Sequence, residues 1–180
     1  MNIFRLRICS IVLAVAAVIG LPLQSHAGYN MFLSLSGISG EAINNLIAVN
    51  SFSTGVAVPV SIGAGGISAG KATFTNVTII KPLDLSSPVL ALDCANGTHI
   101  ATAVLTVVDQ TSGNTLYTVT LGTVIISSVS TGDGTSNRPT ETVTIAYSNI
   151  QWTYQQLDGS GNKVGSPVTH NWNLVTNAGS

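Results

Sequence analysis

The sequence predicts a mostly β domain whose sheet curls into a barrel, with one short α-helix. Three observations predict it. Runs rich in Val, Ile, Thr and aromatic residues recur between clusters of Gly, Asn, Asp, Ser and Pro. Two of the longer runs move their apolar side chains from one face to the other partway along. A side-chain period of two allows that only through a bulge or bend, the device that curves a sheet towards closure. One segment is opened by Ser and Pro and stopped by Asn-Gly, the punctuation of a helix.

In chain order, residues 1–27 read as a secretory signal peptide. Arg5 and Arg7 give a positive start, Ile8 to Leu23 an apolar run, and Ser25-His26-Ala27 small residues where a signal peptidase cuts. The apolar run, about 16 residues, is short of the ~20 that span a bilayer. Cleavage after Ala27 would therefore leave a secreted chain, periplasmic or extracellular, with no stable membrane insertion. Residues 28–180 form one domain, long enough to bury about 70% of the extended chain's surface.

The strand-like runs are Met31–Leu35, Leu46–Phe52, Gly55–Ile62, Lys71–Lys81, Ala101–Val108, Thr115–Val129, Glu141–Gln155 and Val164–Leu174. Ala103, Leu105 and Val107 fall on one face of their run, with Val104 and Val108 on the other. The phase changes lie between Phe74 and Val77, and between Val143-Ile145-Tyr147 and Ile150-Trp152-Tyr154, so Asn76 and Ser148-Asn149 are the expected bends. For the helix, Ser87 is the expected N-cap, Pro88 its first residue, Val89 to Asn96 its body and Gly97 its left-handed stop. Gly63-Ala64-Gly65-Gly66 and Thr131–Asn137 read as the most flexible loops. Strand pattern alone leaves an ordinary β-sandwich as the alternative.

Charge is scarce: charged residues make up 7% of the chain. Beyond residue 27, four basic side chains against seven acidic leave a formal balance of −3. No basic stripe exists to neutralise phosphates, which excludes nucleic acid as a partner. A surface with so little charge has little self-repulsion, and that favours association. Cys94 is the one cysteine beyond residue 27, so no internal disulfide is expected.

Several motifs imitate active sites and fail. Gly65-Gly66-Ile67-Ser68-Ala69-Gly70-Lys71 resembles a phosphate loop, but Ala72 stands where Mg²⁺ needs Ser or Thr, and a strand follows instead of a helix. His99 and His170 lack the neighbours of a metal site. Cys94 has Asp93 beside it and no activating cation. Gly-x-Ser-x-Gly is absent. Nothing in the spacing brings any two of Asp84, Asp93 and Glu141 together as a catalytic pair, so these carboxylates read as solvated. The chain reads as a non-enzyme, with no cofactor and no metal.

In order along the chain, Gly37-Ile38-Ser39-Gly40-Glu41, Asn50-Ser51-Phe52-Ser53-Thr54-Gly55, Gly70-Lys71-Ala72-Thr73-Phe74, Lys81-Pro82-Leu83-Asp84, Ser86-Ser87-Pro88, Gly97-Thr98-His99-Ile100 and Ile150-Gln151-Trp152-Thr153-Tyr154 resemble segments of the haemolysin-coregulated protein (Hcp) family. That family supplies the tube of bacterial type VI secretion systems, and the resemblance extends over residues 29–175. It implies a barrel of two curled antiparallel sheets, a homohexameric ring as the self-assembled unit, and rings stacked into a hollow tube. It also implies effector proteins in the lumen, and secretion-system components, as partners. The family's ring-stacking loop corresponds to roughly Val56–Gly70, and makes Val56, Val58, Pro59, Val60, Ile62, Gly65 and Gly66 the assembly residues. Alternatively, that loop folds back on its own barrel. A second functional reading, prompted by the leader, is an exported monomeric or oligomeric barrel that binds at the surface outside any contractile machine.

Overall fold

A computed structural model describes residues 28–132 and 138–180. The signal-peptide expectation lies outside the described residues, as does most of the Thr131–Asn137 loop. In order, the elements are β1 (Tyr29–Leu35), a 3-10 turn (Ile43–Asn45), β2 (Ile47–Val49), β3 (Ser51–Ser53), β4 (Val56–Ala57), β5 (Val60–Gly63), β6 (Gly66–Ala69), β7 (Thr73–Phe74) and β8 (Val77–Pro82). Helix α1 (Ser87–Asn96) follows, then β9 (His99–Asp109), β10 (Thr115–Gly132), β11 (Thr140–Leu157), β12 (Lys163–Asn173) and β13 (Ala178–Gly179).

The sheet runs β13-β12-β11-β10-β9-β1-β2, every pairing antiparallel. It closes because β11 changes partners along its length. Its second half, from Asn149, pairs β12, while Thr140–Ile145 pairs β8, and β8 pairs β3, the continuation of β2. The curled, mostly β architecture, with a single α-helix among the described residues, agrees with the sequence expectation.

The bends are where the curvature is made. On β11 the buried positions Glu141, Val143 and Ile145 give way to Ile150, so the phase change expected at Ser148-Asn149 is present. It is not confined to one strand. On β10 burial steps from Leu121 to Val124, and on β9 from Ile100 to Ala103. These positions are in register across the three strands, with Thr102 opposite Gly122 and Gly122 opposite Asn149. A corner therefore crosses three neighbouring strands, and Thr123 occupies it with φ +49°. A β-branched residue in that region is strained and persists only where surrounding pairing enforces it. Gly122 lies beside it, and a Cβ there would come 2.9 Å from the Asn149 side-chain nitrogen, which would have to move aside. A separate register shift between Ile126 and Ser128 adds a bulge further along β10.

Three strand runs are shorter than the sequence suggested. Leu46–Phe52 breaks at Asn50, and Gly55–Ile62 breaks at Val58-Pro59, where proline has no N–H to give. Lys71–Lys81 breaks between Phe74 and Val77, around the expected bend at Asn76. The helix expectation also shifts by one residue: Ser86, not Ser87, is the N-cap, and Pro88 is second rather than first. The Ser87 hydroxyl is instead held by groups outside the helix, described below. At the other end Gly97 takes φ +63° and closes the last turn as expected.

The core is aliphatic. Leu33, Ile47, Ile79, Leu105, Leu121 and Ile145 are all essentially inaccessible, and Leu90 is the one α1 side chain fully within it. Ala103, Leu105 and Val107 point inward as read from their alternation, while Val104 and Val108 on the opposite face are half-buried. Truncating Ile145 to Ala removes side-chain volume where β8, β10 and β11 meet, and should cost about 2–5 kcal/mol. Chemical denaturation of the variant against the parent checks this.

Candidate assembly surface

Between Gly55 and Thr75 the chain leaves the barrel as a narrow two-stranded arm. Its lower part pairs Val56 with Phe74 and Ala57 with Thr73, and Thr75 N–H donates to the Gly55 carbonyl at 3.0 Å. Pro59 and Gly70 bridge to the upper part, with Gly70 N–H donating to the Pro59 carbonyl at 2.8 Å. Only glycine fits at 70, since a Cβ would meet the Pro59 ring at 2.9 Å. Beyond them β5 and β6 pair from Val60–Ala69 to Gly63–Gly66, and Ala64-Gly65 make a two-residue turn. Gly66 takes φ +107°, a conformation side-chain-bearing residues avoid.

The arm has two unlike faces. Val60 and Ile62 alternate along β5, and their cross-strand partners Ala69 and Ile67 share that face. Ser61 and Ser68 fall on the other, their hydroxyls 2.7 Å apart. Unlike a surface hairpin lying on its own domain, this one leaves the apolar face open: Ile62 is 80% exposed and Ile67 76%. Val56, Val58 and Val60 are exposed as well. The alternative in which the loop folds back over its barrel does not hold.

The root, by contrast, is held firmly. Phe74 stacks on Trp152 of β11, ring centres 6.2 Å apart, and lies 5.9 Å from Trp172 of β12. Gly179 of β13 packs on the same Trp172 ring, where a Cβ would clash. The Tyr147 hydroxyl donates to the Thr75 carbonyl at 3.0 Å, and burial pushes its ionisation above the ordinary range. The arm is thus a projecting apolar ribbon on a packed aromatic base.

All seven assembly residues named from the sequence lie on this arm. The Gly65–Lys71 phosphate-loop mimic is its second strand and the return to the root, with no helix following. Exposed Ile67 was missed, although its alternation with Ala69 opposite Val60 and Ile62 carries the signal. His99 and His170 are exposed on strands, and Cys94 packs half-buried against the core. Among the described residues no group of three or more His, Cys, Asp or Glu could hold a metal ion.

The carboxylate reading needs correction. Asp84 and Glu141 are not solvated; both grip the ammonium of Lys81, whose side chain is 0% exposed. Lys81 Nζ lies 2.7 Å from Asp84 Oδ1 and 2.6 Å from Glu141 Oε1. The Ser87 hydroxyl donates to Glu141 Oε1 at 2.8 Å and accepts the Asp84 N–H at 3.0 Å. Ser86 gives Asp84 both its N–H and its hydroxyl. Burial would raise the Asp84 carboxyl, but hydrogen bonds from Lys81 and Ser86, with the Lys81 charge, outweigh it and hold the group below its ordinary value. The signal was present in the alternation, since Lys81 continues the inward set Val77, Ile79, and Glu141 begins the inward set Val143, Ile145. Asp93, the third candidate, sits half-buried on α1 with neither of the others bonded to it in the described contacts. Every Lys81 donor and both carboxylates are engaged in tying strands and helix together, an arrangement for holding the fold rather than for proton transfer.

A family profile described as "Type VI secretion system effector, Hcp" matches residues 32–154. Protein hcp1 of Pseudomonas aeruginosa is 36% identical over 110 residues, 59% of this chain and 68% of that protein. The fold is similar to a solved type six secretion system protein at TM-score 0.80 and 25% identity, covering 85% of this chain and 100% of the other. It is also similar to Hcp1 from Salmonella typhimurium, at TM-score 0.70 and 25% identity over 84% and 99% of the two chains.

Because its folded pKa is lowered, Asp84 adds stability above about pH 4 that is lost as the pH falls through the lowered value. Asp84→Asn should therefore be less stable at neutral pH and show a flatter loss of stability below about pH 4. Denaturation midpoints measured from pH 7 down to pH 3 for both proteins check it.

Proposed function

Because the chain belongs to the Hcp family of type VI secretion proteins, we propose that it is a self-assembling structural subunit. In this reading it forms homohexameric rings that stack into a hollow tube able to carry effector proteins. The observation that carries the proposal is the arm: an amphipathic ribbon with its apolar face open to solvent and its root packed into the barrel. A two-stranded hairpin is marginal alone in water and gains stability when its apolar face is covered. Other copies of the chain would cover it.

The sparse charge fits the same role. Lys81, Glu141 and Asp109 are buried, so the described surface carries few charges to repel a neighbouring subunit. No helix among the described residues is long and apolar enough to cross a membrane. The assembled protein is proposed to act after export, in the periplasm or outside the cell.

The test is the state of the processed protein at high concentration. Ring or tube particles in negative-stain images, with matching sedimentation, are expected. A single subunit throughout would overturn the proposal in favour of an exported surface-binding module. Val60→Asp or Val58→Asp should leave the melting temperature nearly unchanged, because both side chains are exposed. The same variants should reduce ring stacking at equal protein concentration, and tubes like those of the parent would refute the arm's role.

A further inference from the structure

The arm leaves one end of β8, and exposed apolar side chains also lie past the other end. Its root joins β8 at Val77; past the other end, after Pro82, comes Leu85, followed by Val89 and Leu92 on α1. Val89 and Leu92, three residues apart on α1, share one side of the helix, and Leu85 stands in the turn just before its N-cap. All are exposed, Leu85 at 66% and Leu92 at 59%. Together they make a short apolar stripe rather than scattered singles. The arm does not cover the stripe of its own chain, since both stay exposed.

The charges at the two surfaces are complementary. Lys71 is the one charged residue between Gly55 and Thr75, and Asp93 the one on α1. A ribbon with a single cation at its base thus has a counterpart in a helix with a single anion beside its apolar stripe. We propose that the arm's apolar face, Val60, Ile62, Ile67 and Ala69, docks on the Leu85-Val89-Leu92 stripe of a second copy, with Lys71 approaching Asp93. The proposal rests on the assembly reading above and names the acceptor surface for the arm. Donor and acceptor are different patches of one chain, so the contact is head-to-tail and repeats from copy to copy. One such contact is small, but a ring presents several at once, and each raises the effective concentration for the next.

Two sets of variants of the processed chain, residues 28–180, test this, read by sedimentation and negative-stain imaging. Leu92→Asp, at an exposed position, should keep its melting temperature and its rings while stacks disappear. Lys71→Glu should raise the protein concentration needed for stacking by about fivefold or more, and adding Asp93→Lys in the same chain should bring it back towards the parent value. Stacks that form normally in Leu92→Asp, or a Lys71→Glu defect that Asp93→Lys fails to correct, would overturn the helix stripe as acceptor while leaving self-assembly intact. A parent protein that forms no stacks at any concentration would overturn both readings.

Discussion

The structure depends on one ammonium group between two carboxylates. Lys81 sits near the end of β8, the strand that closes the barrel against β11, and its cross-strand partner in that pairing is Glu141. Its other partner, Asp84, lies at the turn into α1. One side chain therefore joins the closing strand, the strand it closes on and the start of the helix. Burying a lysine with two carboxylates is costly unless each group is fully bonded. Here the Ser86 and Ser87 donors and the start of α1 supply the remaining partners for the excess negative charge. Removing one member of a buried ion pair typically costs about 3–5 kcal/mol, because the other charge is left behind. The geometry is specified as much as it is stabilised: a slipped β8–β11 register would point Lys81 to the wrong face.

The same cluster explains an apparent anomaly at the helix. Ser-Ser-Pro has the composition of an N-terminal capping sequence, yet neither serine side chain caps the helix. Ser86 turns its hydroxyl to Asp84, and Ser87 bonds Glu141 and the Asp84 N–H. Satisfying a buried charge is worth more than satisfying a helix N–H that solvent can reach. The helix start moves by a residue because the stronger demand lies outside it.

Much of this was legible in the sequence, by one rule. Alternation with period two placed the strands, their inward faces and the bends at Asn76 and Ser148-Asn149, because a phase change in apolar residues has few physical explanations. The rule also held the steps that were missed: Leu121 to Val124 and Ile100 to Ala103 are odd steps of the same kind, and together they form a corner rather than a kink in one strand. The buried ions escaped for a different reason. Charged residues are read as solvated by default, and only the inward phase of both Lys81 and Glu141, together with the pairing of their strands, shows that they meet. Register is a long-range property, and a single sequence does not state which strands pair.

The arm was legible in composition but not in form. Val58, Pro59, Val60 and Ile62 among glycines suggested an apolar loop, and a loop of that kind could have collapsed on the barrel. What prevents collapse is hydrogen bonding: β5 pairs β6 and β4 pairs β7, so the backbone is satisfied within the ribbon and needs nothing from the barrel. The aromatic contacts of Phe74 with Trp152 and Trp172 then anchor the ribbon at its base and nowhere else. Barrel stability and arm exposure are thereby separated. The buried aliphatic core and the Lys81 cluster hold the domain without help from Ile62 or Ile67. Those side chains stay free to be covered by another molecule, and a chain with little surface charge puts little electrostatic barrier in the way of that contact.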